Sequence, residues 1–130
     1  MNATDKELLE MAARAAGLTM GWRNDPDYGG SETPCILDGE DFGCWWNPLS
    51  DDGDALRLAV TLEIGVDFFS GFKQVICHRH ADRENCDMHG VVGYGAGADR
   101  RPSAENARRT IVIAAAEIGK SMTKESDHEH

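Results

Sequence analysis

The densest chemistry in the chain is CHRHADRENCDMH, residues 77 to 89, which holds two cysteines and three histidines. Cys77-x2-His80 is followed by five residues and then Cys86-x2-His89. Thiolate and imidazole in two short pairs form a ligand set for tetrahedral zinc, and a hairpin would bring the pairs together. Cys77, His80, Cys86 and His89 would then close the coordination shell. Such a metal is a structural clip with no open position for catalysis. Two other arrangements suit the same residues: a strand with Cys77 buried as a small hydrophobe and His78 and His80 on the wet face, or a Cys77–Cys86 disulfide. Zinc demands that the strand end or bulge near His78, because residues 77 and 80 of an unbroken strand point to opposite faces. The short spacer and the absence of a C-x2-C pattern also weigh against it.

Other constellations are weaker. DDGD (Asp51–Asp54) lacks the D-x-D-x-D-G ladder and the distant glutamate of a calcium loop, so its acids read as helix-start residues. GYGAG (residues 93–97) is separated from the next helix by ADRRPS and lacks the phosphate-loop lysine. No Ser-His-Asp or Cys-His-Asn set can be assembled, and the carboxylates show no pairing that would separate their pKa values. The expectation is a protein that is not an enzyme. Arg100, Arg101, Arg108 and Arg109 form a compact basic patch, which suits either surface pairing with acids or a nucleic-acid contact. Trp45 and Trp46 are adjacent, so in a strand only one faces the core, and the other is a candidate interface anchor.

Charge is the strongest compositional signal. The 130 residues carry a net charge of -10, with 41% hydrophobic and 28% charged residues. Nine acids lie between Asn24 and Asp54: Asp25, Asp27, Glu32, Asp38, Glu40, Asp41, Asp51, Asp52 and Asp54. That segment has no lysine or arginine, so the rest of the chain nets -1. A field of one sign attracts cationic partners and repels phosphate. No apolar run approaches the length of a membrane span, and the N-terminal residues lack the pattern of a secretion signal. A cytoplasmic protein is expected, with its four cysteines as thiols or ligands.

Three helices must position these residues. TDKELLEMAARAAG opens with a Thr4/Glu7 capping box, presents Leu8, Met11, Ala12 and Ala15 on one face, and stops at Gly17. SDDGDALRLAVTLEIG is capped by Ser50, buries Ala55, Leu58, Ala59 and Leu62, and stops at Gly65. SAENARRTIVIAAAEIGKSM is capped by Ser103 and carries the widest apolar stripe, from Ala107 through Ile111, Ala114, Ala115 and Ile118 to Met122. Strands fill the intervals: LTMGW, then CIL and FGCWW flanking a DGED turn, then VDFFSG, FKQVICHRH and MHGVVGYG. NDPDYGGSE is a loop. The fold class is α+β, a mostly antiparallel sheet with three helices packed on it. Residues 1–123 form one domain, and 124–130, which lack apolar periodicity, form a flexible tail.

The blocks WNPLSDDGDALRLAV (Trp46 to Val60) and ENARRTIVIAAAEIGKSM (Glu105 to Met122), with the opening LLEMAARAAG, resemble small phage-encoded proteins with the phage ABA sandwich domain. The resemblance implies an α/β/α sandwich and offers no catalytic residues. It weakens between Gly71 and Gly97, where the Cys/His cluster lies. Taken with the acidic segment, it leads to a small phage accessory protein acting in the host cytoplasm. The expected mode is non-catalytic binding to a host protein or defence complex with a basic, nucleic-acid-binding surface, as an anti-defence inhibitor of the anti-CRISPR kind. Asp25, Asp27, Asp38, Glu40, Asp41 and one of Trp45 and Trp46 would carry the contact. The alternative is an accessory factor touching nucleic acid through Arg100, Arg101, Arg108 and Arg109, with a zinc-clipped hairpin. Apart from that zinc, no cofactor is expected.

Overall fold

The apolar stripe of the last helix organises the molecule. In the computed structural model, which describes residues 3–69, 74–80, 88–94 and 103–128, the elements follow in the order α1 (Ala3–Ala15), β1 (Met20–Asp25), a 3-10 turn (Pro26–Tyr28), β2 (Ser31–Asp38), β3 (Asp41–Trp45), α2 (Asp52–Leu62), β4 (Ile64–Phe69), β5 (Gln74–His80), β6 (Met88–Tyr94) and α3 (Ala104–His128). α3 packs against α1, α2 and strands β4, β5 and β6. Its buried face is largely alanine (Ala114, Ala115 and Ala116, with Ile111 and Val112), so neighbouring backbones come close. At Gly119 the approach is extreme: a Cβ there would overlap the backbone of Met11 in α1. Leu9, Ala12 and Ala13 of α1 fill the facing side. The buried arc of α1 is therefore turned from the expected Leu8/Met11/Ala12/Ala15 set. The turn follows from a second neighbour, since Lys6 and Glu10 reach across to Glu32 and Trp22 of the first hairpin.

The expected α+β composition and antiparallel pairing are present, but the strands divide into two three-stranded sheets, β1-β2-β3 and β4-β5-β6. Each triplet is built from sequence neighbours, with α2 inserted between β3 and β4. Met20, Trp22 and Ile36 of the first sheet, and Ile64, Val66 and Cys77 of the second, meet the same core.

Several boundaries differ from expectation for local reasons. α1 begins at Ala3, so Thr4 sits inside the first turn. α2 is capped by Asp51 rather than Ser50, and it ends at Glu63, which takes a left-handed conformation (φ 55) and donates its N–H to Ala59 and Val60. Gly65 is thereby freed to enter β4, where the ring of His78 occupies the space a side chain would need. Ser103 caps α3 as expected, its Oγ accepting from the Asn106 N–H. The helix then runs to His128, past the expected boundary at 123. Among the described residues no helix is long and apolar enough to cross a membrane.

Candidate interaction surface

The acidic segment is best understood from its C-terminal end, where the chain leaves β3 and starts α2. The tryptophan pair splits there: Trp46 is 6% exposed and joins the core, whereas Trp45 is 40% exposed. Trp46 is therefore removed from the expected contact set. Beyond it the chain turns on Asn47, whose carbonyl accepts from the N–H groups of Ser50 and Asp51 and whose Oδ1 accepts from Leu49. Asp54 Oδ2 accepts the Asn47 N–H at 2.9 Å, and Asp51 Oδ2 accepts the Asp54 N–H at 2.8 Å. Arg57 donates to Asp54 at 2.7 Å and lies 3.9 Å from Asp51. The Asp54 carboxylate holds the Arg57 guanidinium above its ordinary pKa. Arg108 of α3 donates from Nε to the Leu49 carbonyl at 2.9 Å and from Nη1 to Asp52 at 2.6 Å. The three aspartates of DDGD thus cap a helix and anchor two arginines.

At the other end of the segment two more acids are used internally. Asp25 is 4% exposed and its Oδ1 accepts the Asp27 N–H at 2.9 Å, closing the 3-10 turn. Its burial corrects its expected role in a partner contact. Glu32 pairs with Lys6 at 2.7 Å, and the Lys6 ammonium sits 5.2 Å from the Trp22 ring centroid. Beside the buried Asp25, four exposed carboxylates of the segment have no ion pair among the described residues: Asp27, Asp38, Glu40 and Asp41. The expected continuous acidic stripe narrows to these.

Three of the four cluster at the β2–β3 turn. Asp38 pairs with Asp41, leaving Gly39 and Glu40 as a two-residue turn, and Gly39 supplies the positive φ (66) that a tight hairpin requires. Arg23 ties the turn to β1 by donating to the carbonyls of Trp22 and Glu40 at 3.0 and 3.3 Å. Register then shifts between Ile36 and Leu37: Ile36 faces Cys44 but Leu37 faces Phe42. The extra residue is Gly43, where a Cβ would press on the Ile36 carbonyl. The bulge has a decisive effect. Residues three apart in a regular strand point to opposite faces, yet Phe42 and Trp45 meet edge to face with centroids 4.7 Å apart. Phe42 is 45% exposed, so the pair forms an aromatic patch beside the acidic turn. Cys35 lies opposite Trp45 on β2, fully buried, and its burial raises the thiol pKa. Beyond Trp45 a cleft of about 800 Å³ opens toward Asp25, Glu32, Asp51, Asp54 and Arg57.

No family model matches the chain, and no curated protein or solved structure matches it either.

Phe42 was absent from the expected contact set, although Gly43 inside an otherwise strand-like run is the signal for a bulge. The other candidate clusters resolve differently. Cys77 is a buried free thiol in β5, and burial, reinforced by the Asp67 charge, pushes its pKa up to about 12. His78 was expected on the wet face; it is half-buried over Gly65, with Nε2 2.9 Å from Asp67. The β5–β6 ladder runs unbroken from Gln74↔Tyr94 to His80↔Met88, with Arg79 opposite His89. The strand break near His78 that zinc needs is therefore not made. Cys86 lies outside the described residues, and among those described no three His, Cys, Asp or Glu are grouped to hold a metal. In the basic patch, Arg108 pins α3 to the start of α2, and Arg109 donates to Asp5 of α1 at 3.1 Å. These two arginines are committed to the fold; Arg100 and Arg101 lie outside the described residues.

Proposed function

We propose that this is a small phage-encoded protein of the ABA sandwich kind that works in the host cytoplasm by non-catalytic binding. Its target is a host protein with a basic nucleic-acid-binding surface, and covering that surface blocks a defence complex in the anti-CRISPR manner. The observation that carries the reading is the β2–β3 hairpin, where an exposed Phe42–Trp45 pair stands beside three carboxylates with no ion pair among the described residues. Aromatic anchors supply contact area at low entropic cost, and charges at the rim set encounter rate and orientation. Asp38, Glu40, Asp41, Phe42 and Trp45 form the contact.

The test is displacement. Adding the protein to a host defence effector bound to its nucleic acid, and following release by mobility shift, is expected to free the nucleic acid. Release weakens as ionic strength rises from about 50 to about 300 mM, where the screening length shortens to well under 10 Å. D38K/E40K/D41K abolishes it. Displacement that survives the triple reversal contradicts the proposal. The alternative, a nucleic-acid contact through the arginine patch with a zinc-clipped hairpin, gains no support from α3, where Arg108 and Arg109 are held by Asp52 and Asp5.

A further inference from the structure

The free edge of β3 points to how such a partner is held. β3 is the last strand of the first sheet, and all five of its residues are exposed, so among the described residues no strand pairs with that edge. Which backbone groups it offers follows from two hydrogen bonds. The Leu37 N–H donates to Thr19 on the β1 side, so Leu37 and its partner Phe42 form a pair that is not hydrogen-bonded across β2–β3. The Phe42 N–H and carbonyl therefore point away from β2. Trp46 donates inward to the Pro34 carbonyl, so the preceding residue, Trp45, also turns its N–H and carbonyl outward. The Gly43 bulge thus gives Phe42 and Trp45 a shared side-chain face and a shared open backbone edge.

We infer that β3 receives an extended cationic segment of the partner as an added strand, hydrogen-bonded at Phe42 and Trp45. Strand addition satisfies the open backbone groups and gives alternate side chains of the incoming segment a surface to pack on. Charge selects the occupant. Asp38, Glu40 and Asp41 stand at one end of the edge. At the other end, the acids lining the cleft beyond Trp45 are already used by the fold: Asp25 is buried, Glu32 pairs with Lys6, and Asp51 and Asp54 hold Arg57. A second copy of this chain carries the same net charge of -10 and would be repelled. A segment with Lys or Arg at the end that meets the turn and apolar residues over Phe42 and Trp45 matches the acid–aromatic order along β3.

This inference rests on the proposed binding role, and its test can fail separately. The probe is a nine-residue peptide of alternating Val and Thr with two lysines at each end, titrated into labelled protein and followed by amide NMR and hydrogen exchange. Strand addition predicts slowed exchange at the Phe42 and Trp45 amides. It also predicts at least tenfold weaker binding for a backbone N-methylated peptide, and a similar loss for the F42A/W45A protein. Equal binding of the N-methylated peptide, shifts confined to the acidic turn, or no binding at millimolar peptide each overturn strand addition. Those results leave the displacement assay to judge the binding role itself.

Discussion

Two groups of three acids lie ten residues apart in one acidic run and have opposite fates. Asp51, Asp52 and Asp54 are absorbed into the fold as a helix cap and as partners of Arg57 and Arg108. Asp38, Glu40 and Asp41 surround a tight turn and have no ion pair among the described residues. The residue types are the same, so composition does not distinguish them. What differs is the surroundings: the first group meets a nascent helix with open N–H groups and two cations, one of them from α3, whereas the second sits on a hairpin tip where Arg23 bonds backbone carbonyls rather than the carboxylates. A charge run becomes a functional surface only where folding leaves it unspent.

Mutations should expose this asymmetry, beginning with the most damaging. Asp54→Ala removes the acceptor for the Asn47 N–H and the 2.7 Å partner of Arg57. It leaves a part-buried donor unmet, and chemical denaturation is expected to show a loss of about 2–3 kcal/mol. Asp52→Asn weakens a single ion pair at the surface end of Arg108, which keeps its bond to the Leu49 carbonyl; the same measurement should give a loss of about 1 kcal/mol or less. At the hairpin tip, D38K/E40K/D41K should change stability by no more than about 0.5 kcal/mol, while abolishing displacement of nucleic acid. A large stability loss from the tip, or a negligible one from Asp54, would erase the distinction.

Thiols give the same contrast a pH axis. Cys44 is exposed on β3, whereas Cys77 is buried with its pKa pushed up to about 12 from an ordinary value of 9.0. Between those values the unfolded chain has released the Cys77 proton and the folded chain retains it, so stability is full below pH 9 and falls as pH rises toward 12. Cys77→Ala should reduce this alkaline decline in a series of denaturation curves, leaving the part that the raised Cys35 thiol contributes.

Local features were legible in the sequence. The DGED turn, the first-turn aspartates of α2 and the Ser103 cap each depend on residues within a few positions, and the structure contains all three. Features requiring distant segments to meet were not. Arg108 reaches Asp52 across 56 positions and Arg109 reaches Asp5 across 104; pairing of the patch with the acidic segment was one expected reading, but the particular partners had no signature near the residues involved. The division of six strands into two sheets depends on where α2 packs, and periodicity does not report that. The bulge at Gly43 lies between these cases. Its glycine was visible, but its consequence, the meeting of Phe42 with Trp45, depends on register against β2.

The most direct test is carboxylate footprinting: carbodiimide-driven labelling of Asp and Glu, read by mass spectrometry, on the free protein and on its complex with a defence effector. The free protein should label readily at Asp27, Asp38, Glu40 and Asp41 and slowly at the buried Asp25 and Asp54. In the complex, labelling should fall at Asp38, Glu40 and Asp41 and stay unchanged at Asp52. Undiminished labelling of the hairpin acids in the bound state would contradict the account.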